Sequence, residues 1–291
     1  MERPLVSVLI TIYNAEAQLA STLRALQAQT YSPFEIICVE DGSTDESLKI
    51  LREFAVQDFR IKIFTPGRLG RAKALNFGIE RANGEFLAIN DADDLSTPDR
   101  LEKQIAFFLA HPEVGMLGSQ YEIFETETGL LRTIDLPLDN HSLRQALTQG
   151  QPFHHSSIMF RMPVLQKLKG YDIGRKFLLD REIFIRAAAI CEIANLKERL
   201  LRVTHHGKRY FFYGFTSRTR ELHHNWLRMK AIWSLNFPFT MLAKPLFAMG
   251  IALVPHSLRL SLPSFIRTRA RQLIYPEPSQ TTQIKEVTNG Q

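Results

Sequence analysis

The chain has 291 residues, 45% hydrophobic and 23% charged, with two cysteines and a formal net charge of +6. Such a composition can bury one large core or two moderate ones, which excludes a disordered chain and a small disulfide scaffold; Cys38 and Cys191, without CxxC spacing, also exclude a zinc framework and fit a reducing compartment. The charge is uneven, nine Lys or Arg lying between Arg218 and Tyr275 against one acid, Glu221, so that this segment points to an anionic partner such as a membrane surface or nucleic acid.

The first elements alternate in type. Arg3, the apolar stretch Leu5 to Tyr13 and the small Ala15 and Ala17 imitate a secretory signal. The stretch is short, contains Ser7 and Thr11 and runs on without a linker, so VSVLITIYN (6–14) reads as a strand. Leu19, Leu23 and Leu26 then recur at helical spacing. FEIICVE (34–40) is a second strand, and the turn DGSTD leads into a helix with Leu48, Leu51 and Ala55 on one face. RIKIFT (60–65), a helix around Ala72 to Ala82, and the strand EFLAIN follow. This order of strand and helix, with near-continuous apolar strands, predicts a parallel sheet covered by helices.

In that architecture ligands bind outside the carboxyl ends of the strands. Thr11, Tyr13 and Asn14 end the first strand, Asp41 the second, PGRLGR follows the third, and Asp91 and Asp93 end the fourth. Taken singly, Asn14 could cap a helix, DGSTD could be a plain turn, and Asp94 or Asp99 could sit near the helix start after Pro98. Their convergence on one sheet edge favours a site. The segment INDADDLSTPDR crowds Asp91, Asp93 and Asp94 into four positions, and like charges so close need a cation or a hydrogen-bonding partner. Neither GxxxxGK[ST] nor GxGxxG occurs after the first strand, so a diphosphate here is expected to be held through Mg²⁺ or Mn²⁺ on hard oxygen ligands.

Across roughly residues 4–210, the set VSVLITIYNAE, VEDGSTDES, GRAKALNFGIERANGEF and INDADD resembles the inverting family 2 glycosyltransferases of the GT-A fold. The resemblance implies an α/β, Rossmann-like, mostly parallel sheet flanked by helices, a nucleotide-sugar donor (UDP-sugar favoured), a divalent metal and direct displacement at the anomeric carbon. It assigns Thr11, Tyr13, Asn14 and Asp41 to the nucleotide. Asp91 would approach the ribose or the metal, Asp93 would ligate the metal, and Asp94 could share that task. Arg68 or Arg71 would meet the diphosphate. Glu40 stands where the family usually has Asp, a tolerable change beside the matched Asp41.

GYDIGRKFLLDREIFIRAA (170–188) resembles the family segment that opens the acceptor-side helix, which puts Asp180 on the catalytic-base position. A positioned base contributes about 10²- to 10⁴-fold. The alternative is that Asp180 only favours a helix N-terminus. Leu179 and Lys169 depart from the family pattern, the first replacing a polar or acidic residue and the second a glycine. HHSSIMF (154–160) resembles the segment beneath the acceptor, so His155 and Ser156 would touch acceptor or diphosphate, a core histidine being an equal account. Of His205 and His206 one is expected to serve the metal, His206 being the candidate. No QxxRW motif is present, which favours single-sugar transfer.

Phe237 to Pro255 is apolar but interrupted by Lys244 and three prolines, and its clean run is about half of the ~20 residues a bilayer span needs. Flanked by Arg259, Arg267, Arg269 and Arg271, it reads as an interfacial segment, the alternative being a helical subdomain on the core or a second subunit. The expected division is a nucleotide-sugar half over 1–105, an acceptor half over 106–215, a basic helical extension over 216–275 and a disordered tail over 276–291. The expected protein is a cytoplasmic enzyme of surface-polysaccharide synthesis at the inner membrane face, acting on a glycan or lipid-linked acceptor, with a homodimer left open. A non-catalytic sugar-nucleotide-binding or glycan-binding module is the alternative. A nucleic-acid partner is disfavoured, since no known aromatic-basic module is present.

Overall fold

The computed structural model describes residues 3–175, 177–205 and 218–254. In chain order the first half comprises β1 (Val6–Ile12), α1 (Glu16–Gln27), β2 (Phe34–Glu40), α2 (Ser47–Gln57), β3 (Ile61–Phe64), α3 (Arg71–Ile79), β4 (Phe86–Ile89), β5 (Asp94–Ser96) and α4 (Arg100–Ala110). The second comprises β6 (Val114–Glu125), β7 (Leu131–Ile134), α5 (Asn140–Leu147), a 3₁₀ turn (His155–Ser157), β8 (Met159–Arg161), α6 (Met162–Leu168), α7 (Leu179–Ile190), β9 (Glu192–His205), α8 (Arg218–Ser234), a second 3₁₀ turn (Phe239–Leu242) and α9 (Ala243–Leu253).

One sheet runs in the order β3-β2-β1-β4-β8-β6-β9-β5, with β7 paired to β6. From β3 to β4 every pairing is parallel. Beyond β4 the sheet is mixed: β8 is antiparallel to both β4 and β6, and β6 is parallel to β9. Strand alternation feeds two cores. Val6, Val8, Ile10 and Ile12 of β1 meet Leu19, Leu23 and Leu26 of α1 and Leu101, Ile105 and Phe108 of α4 on one face. Leu9, Ile37 and Val39 meet Leu75 of α3 and Ile183 and Phe184 of α7 on the other. Each such fully buried side chain contributes about 1.5–3 kcal/mol.

β1 stops at Ile12, two residues before the end of the strand expected from VSVLITIYN, because Asn14 takes a left-handed conformation (φ 50°) that turns the chain toward α1. The described part of the extension, residues 218–254, packs in part on the core. Leu227, Ala231 and Leu235, from α8 and the residue after it, belong to the second core, and α8 packs on α7. Residues 206–217 and 255–291, including His206 and the tail arginines, lie outside the described residues.

Candidate active site

The carboxyl ends of β1, β2 and β4 open on a cleft of about 330 Å³ lined by Thr11, Tyr13, Asn14, Gln18, Asp41, Arg68, Arg71, Asp91, Ala92 and Asp93 among others. The loops that meet here are laced together. Asn14 Oδ1 accepts the Thr44 N–H at 2.8 Å, Ser47 Oγ accepts the Ala15 N–H at 2.9 Å, and Asp45 accepts the Glu16 N–H at 3.0 Å. Glu40 is buried and accepts the Ser43 N–H, so the longer side chain closes the β2–α2 loop.

Asp41 is buried at the end of β2 and organises the loop after β3. Its carboxylate accepts the backbone N–H groups of Leu69 (2.6 Å) and Gly70 (3.1 Å) and an ion pair from Arg68. Arg68 in turn lies over the ring of Tyr13, 3.5 Å from its centroid. A planar cationic group thus fills the space between an aromatic face and a carboxylate acceptor.

The three crowded carboxylates solve their repulsion differently. Asp91 pairs with Arg71 at 2.7 Å and with His155 Nδ1 at 3.2 Å. Burial would push its carboxyl up, but Arg71 and His155 hold it well below the usual range, and Asp91 in turn raises Arg71 despite the desolvation of that guanidinium. Asp94 turns inward as part of β5. Burial, then the nearby Asp91 and Asp93, push its carboxyl well up, and it is held by the hydroxyl of Ser156. Ser156 Oγ also accepts the Asp91 N–H at 3.0 Å, so one hydroxyl links both acids. Asp93 stays at the cleft wall. Among the described residues no three His, Cys, Asp or Glu side chains converge on one point. Asp93, with Asp91 beside it, offers hard oxygens at an open edge, a donor set that fits a divalent cation completed by phosphate oxygens of a ligand.

The second half joins this cleft through β8, which lies beside β4 and sets His155 and Ser156 under Asp91. His155 is 5% exposed and bridges Asp91 to Tyr171, whose hydroxyl lies 2.9 Å from Nε2. Burial raises the Tyr171 hydroxyl far above its ordinary value, so it stays neutral beside His155. Tyr171 follows Gly170, whose φ is +69° and whose added Cβ would sit 2.4 Å from Asn76 Oδ1. That contact is close because the Asn76 amide bonds both the N–H and the C=O of Tyr171, at 2.7 and 2.8 Å. Lys169, where the family has glycine, is also left-handed (φ 56°) and ends α6.

Asp180 lies in the first turn of α7, after Leu178 at φ 57°. Gln151 donates to its Oδ2 at 2.5 Å, the Asp180 charge raises both Arg71 and Tyr171, and Asp180 does not line the cleft itself. β5 pairs Asp94 with Val203, so β9 ends at His205 two residues beyond that partner.

Sequence reasoning missed Gln18 and Ala92, and it did not single out Tyr171 or Arg100. Arg100 is fully buried at the start of α4, and all five of its N–H groups are used. Nε donates to Gln104, Nη1 to Asn90 Oδ1 and Ser96 Oγ, and Nη2 to the carbonyls of Ile89 and Ile158. It clamps the end of β4, the turn of the three acids and β8 together. Its signal in the sequence was a charge at helical spacing with Leu101, Gln104, Ile105 and Phe108, all on the buried face of α4.

A family model described as "Glycosyl transferase family 2" matches residues 7–184. EpsE of Bacillus subtilis, assigned as a glycosyltransferase, is 37% identical over 179 residues, 60% of this chain and 62% of EpsE, so the match spans less than two thirds of that relative. The amylovoran biosynthesis glycosyltransferase AmsE of Erwinia amylovora is 34% identical over 201 residues, 68% of this chain and 75% of AmsE. Among solved structures, residues 1–349 of S. aureus TarS in complex with UDP-GlcNAc match with a TM-score of 0.66 at 17% identity, covering 92% of this chain and 81% of that one. The mannosyltransferase PcManGT of Pyrobaculum calidifontis, in complex with GDP-Man and Mn²⁺, matches with a TM-score of 0.61 at 20% identity, covering 94% and 85%. At these identities the likeness is one of fold.

Proposed function

We propose that this chain, which belongs to glycosyl transferase family 2, transfers a single sugar with inversion from a nucleotide-diphosphate sugar to a glycan or lipid-linked acceptor in the synthesis of a surface polysaccharide. The observation that carries this reading is the cleft at the sheet edge, where an aromatic face (Tyr13), a buried acceptor (Asp41), a cation (Arg71) and an accessible carboxylate (Asp93) converge. The polysaccharide assignment leans on AmsE, whose name places it in amylovoran biosynthesis. UDP is the favoured nucleotide. The reaction is read as cytoplasmic, at the inner membrane face; no helix among the described residues is long and apolar enough to cross a bilayer.

In this mechanism the base stacks on Tyr13 and presents an N–H to Asp41, displacing Arg68 from between them. Thr11 and Asn14 close the nucleotide side of the cleft, and Arg71, anchored by Asp91, faces the diphosphate. Asp93, with Asp91 and His206, would hold a divalent cation, Mn²⁺ or Mg²⁺, whose chemistry is to neutralise the charge that develops on the leaving diphosphate. Asp180 takes the proton of the acceptor hydroxyl as its oxygen forms a bond to the anomeric carbon. The bond from that carbon to the diphosphate breaks with its electron pair on the leaving oxygen, and attack from the opposite face inverts the centre. His155 and Tyr171 keep Asp91 and the acceptor-side loop in register. Release of free nucleotide from a panel of UDP- and GDP-sugars, with and without Mn²⁺ and a glycan acceptor, tests the proposal. Turnover of one donor is expected. Tight nucleotide binding with no turnover of any donor would leave the non-catalytic module as the correct reading.

A further inference from the structure

The helical hairpin of α8 and α9 carries an apolar surface that remains exposed among the described residues. α8 turns Leu227, Ala231 and the following Leu235 into the core, while Trp226 and Trp233, seven residues apart on the opposite face, remain in the open. Trp233 is 71% exposed and packs edge-on against Phe239, itself 67% exposed, with ring centroids 5.7 Å apart. α9 repeats the pattern, burying Pro245, Ala248 and Ala252 and leaving Leu246, Phe247 and Leu253 exposed. Large aromatic side chains held in water are uncommon on a chain with no partner for them.

Charge decides what that partner is. No Asp or Glu occurs from Leu222 to Pro276, whereas seven Lys or Arg do. Within the described part, Arg228 is buried and Lys230 is spent on Glu182, which leaves Lys244 exposed beside the apolar face of α9. The sequence that continues beyond residue 254 adds Arg259, Arg267, Arg269 and Arg271. Exposed tryptophan and phenylalanine with lysine and arginine, and without carboxylates, match the interface of an anionic bilayer rather than a protein surface of mixed charge.

The hairpin is also bolted to the acceptor-side helix. Arg181 Nη1 lies 3.0 Å from His224 Nδ1, Lys230 bonds Glu182 at 2.7 Å, and Arg175 lies over the ring of Trp226 at 5.5 Å. Arg181 and Glu182 directly follow Asp180. We infer that the α8–α9 hairpin is a docking surface for an anionic lipid bilayer, and that it delivers a lipid-carried acceptor to Asp180; the second part rests on the glycosyl-transfer reading above.

The test is flotation of the full chain with vesicles of phosphatidylcholine alone and with about one third phosphatidylglycerol, at low and high salt. The parent protein should float only with the anionic vesicles, less at high salt, with a blue shift in tryptophan emission. The pair Trp233→Ser and Phe239→Ser should lower the partition about tenfold or more, and Lys244→Glu should weaken it separately. A rise in melting temperature with UDP should stay unchanged in these variants, showing that they fold. Equal flotation by parent and variants, equal flotation with neutral vesicles, or a parent dimer that the variants split without any vesicle binding would each overturn the inference. Vesicle binding without donor turnover would leave the docking surface standing and remove the glycosyl-transfer reading; turnover without vesicle binding would do the reverse.

Discussion

Arg68 is the residue whose position most constrains the donor site, because it lies over Tyr13 and pairs with Asp41, the two groups read as holding the base. A nucleotide must break that arrangement before it can bind. The ion pair is half-exposed on the arginine side, so its cost is modest, about 0.5–1 kcal/mol. Arg68→Ala is therefore expected to tighten UDP binding by roughly two- to fivefold, measured by calorimetry. Weaker binding would instead assign Arg68 to the phosphates. Asp180 is argued at the same scale. Asp180→Asn conserves shape and the Gln151 contact but cannot take a proton, so turnover should fall by about two orders of magnitude or more with donor affinity nearly intact. A fully active variant that melts slightly earlier would leave Asp180 as a helix-terminus residue only.

At the scale of elements, the turn between β4 and β5 is held from behind by α4 rather than by its own residues. Removing the Arg100 guanidinium takes a donor from the carbonyls of Ile89 and Ile158 and from Asn90 Oδ1, Ile158 keeping only the Ile89 N–H and Asn90 Oδ1 only the Ser96 hydroxyl. Arg100→Met should cost about 3–5 kcal/mol, read as a drop in the urea midpoint, and Arg100→Lys should recover only part of it because three donors replace five. The junction of α2 and β3 offers a test through pH. Asp58 bonds the Arg60 side chain at 2.7 and 2.8 Å, and this hydrogen bonding is the main reason its carboxyl lies below the usual value, burial opposing it. A depressed folded-state value means that the stabilisation is present above the unfolded carboxylate range and is lost as pH falls through the folded value. The stability gap between the parent and Asp58→Asn, followed through their melting temperatures, should be constant near neutrality, at about 1 kcal/mol, and close below about pH 4. A gap that persists in acid would show that Asp58 acts through shape alone.

For the whole molecule, ligand binding and folding are one linked equilibrium, since a nucleotide bound only by the folded state raises its stability by about 2.7 kcal/mol at one hundred times its dissociation constant. Asp93→Asn should leave the melting temperature of the protein alone nearly unchanged and abolish the extra stabilisation that UDP gains from added Mn²⁺. An undiminished metal-dependent shift would move the cation elsewhere. The parallel half of the sheet was legible because its strands are short apolar runs ended by turn residues, and because a parallel sheet collects those ends on one edge; Thr11, Tyr13, Asn14, Asp41, Asp91 and Asp93 were all brought to one cleft as that rule requires. Asp94 shows the limit of the rule, since its place in the row of acids did not reveal that β5 pairs with β9 and turns its side chain inward. Residue types and local periodicity determined the alternating elements of about the first hundred residues and the carboxylate-lined edge, and the motifs determined the family. What only the tertiary structure decided is which distant groups neutralise that edge: β8, inserted antiparallel between β4 and β6, brings His155 and Ser156 to Asp91 across 64 and 65 residues, and Arg100 locks the turn from the opposite core. Pairing order between strands far apart in sequence is fixed by how all of their faces pack at once, and no local pattern carries that information.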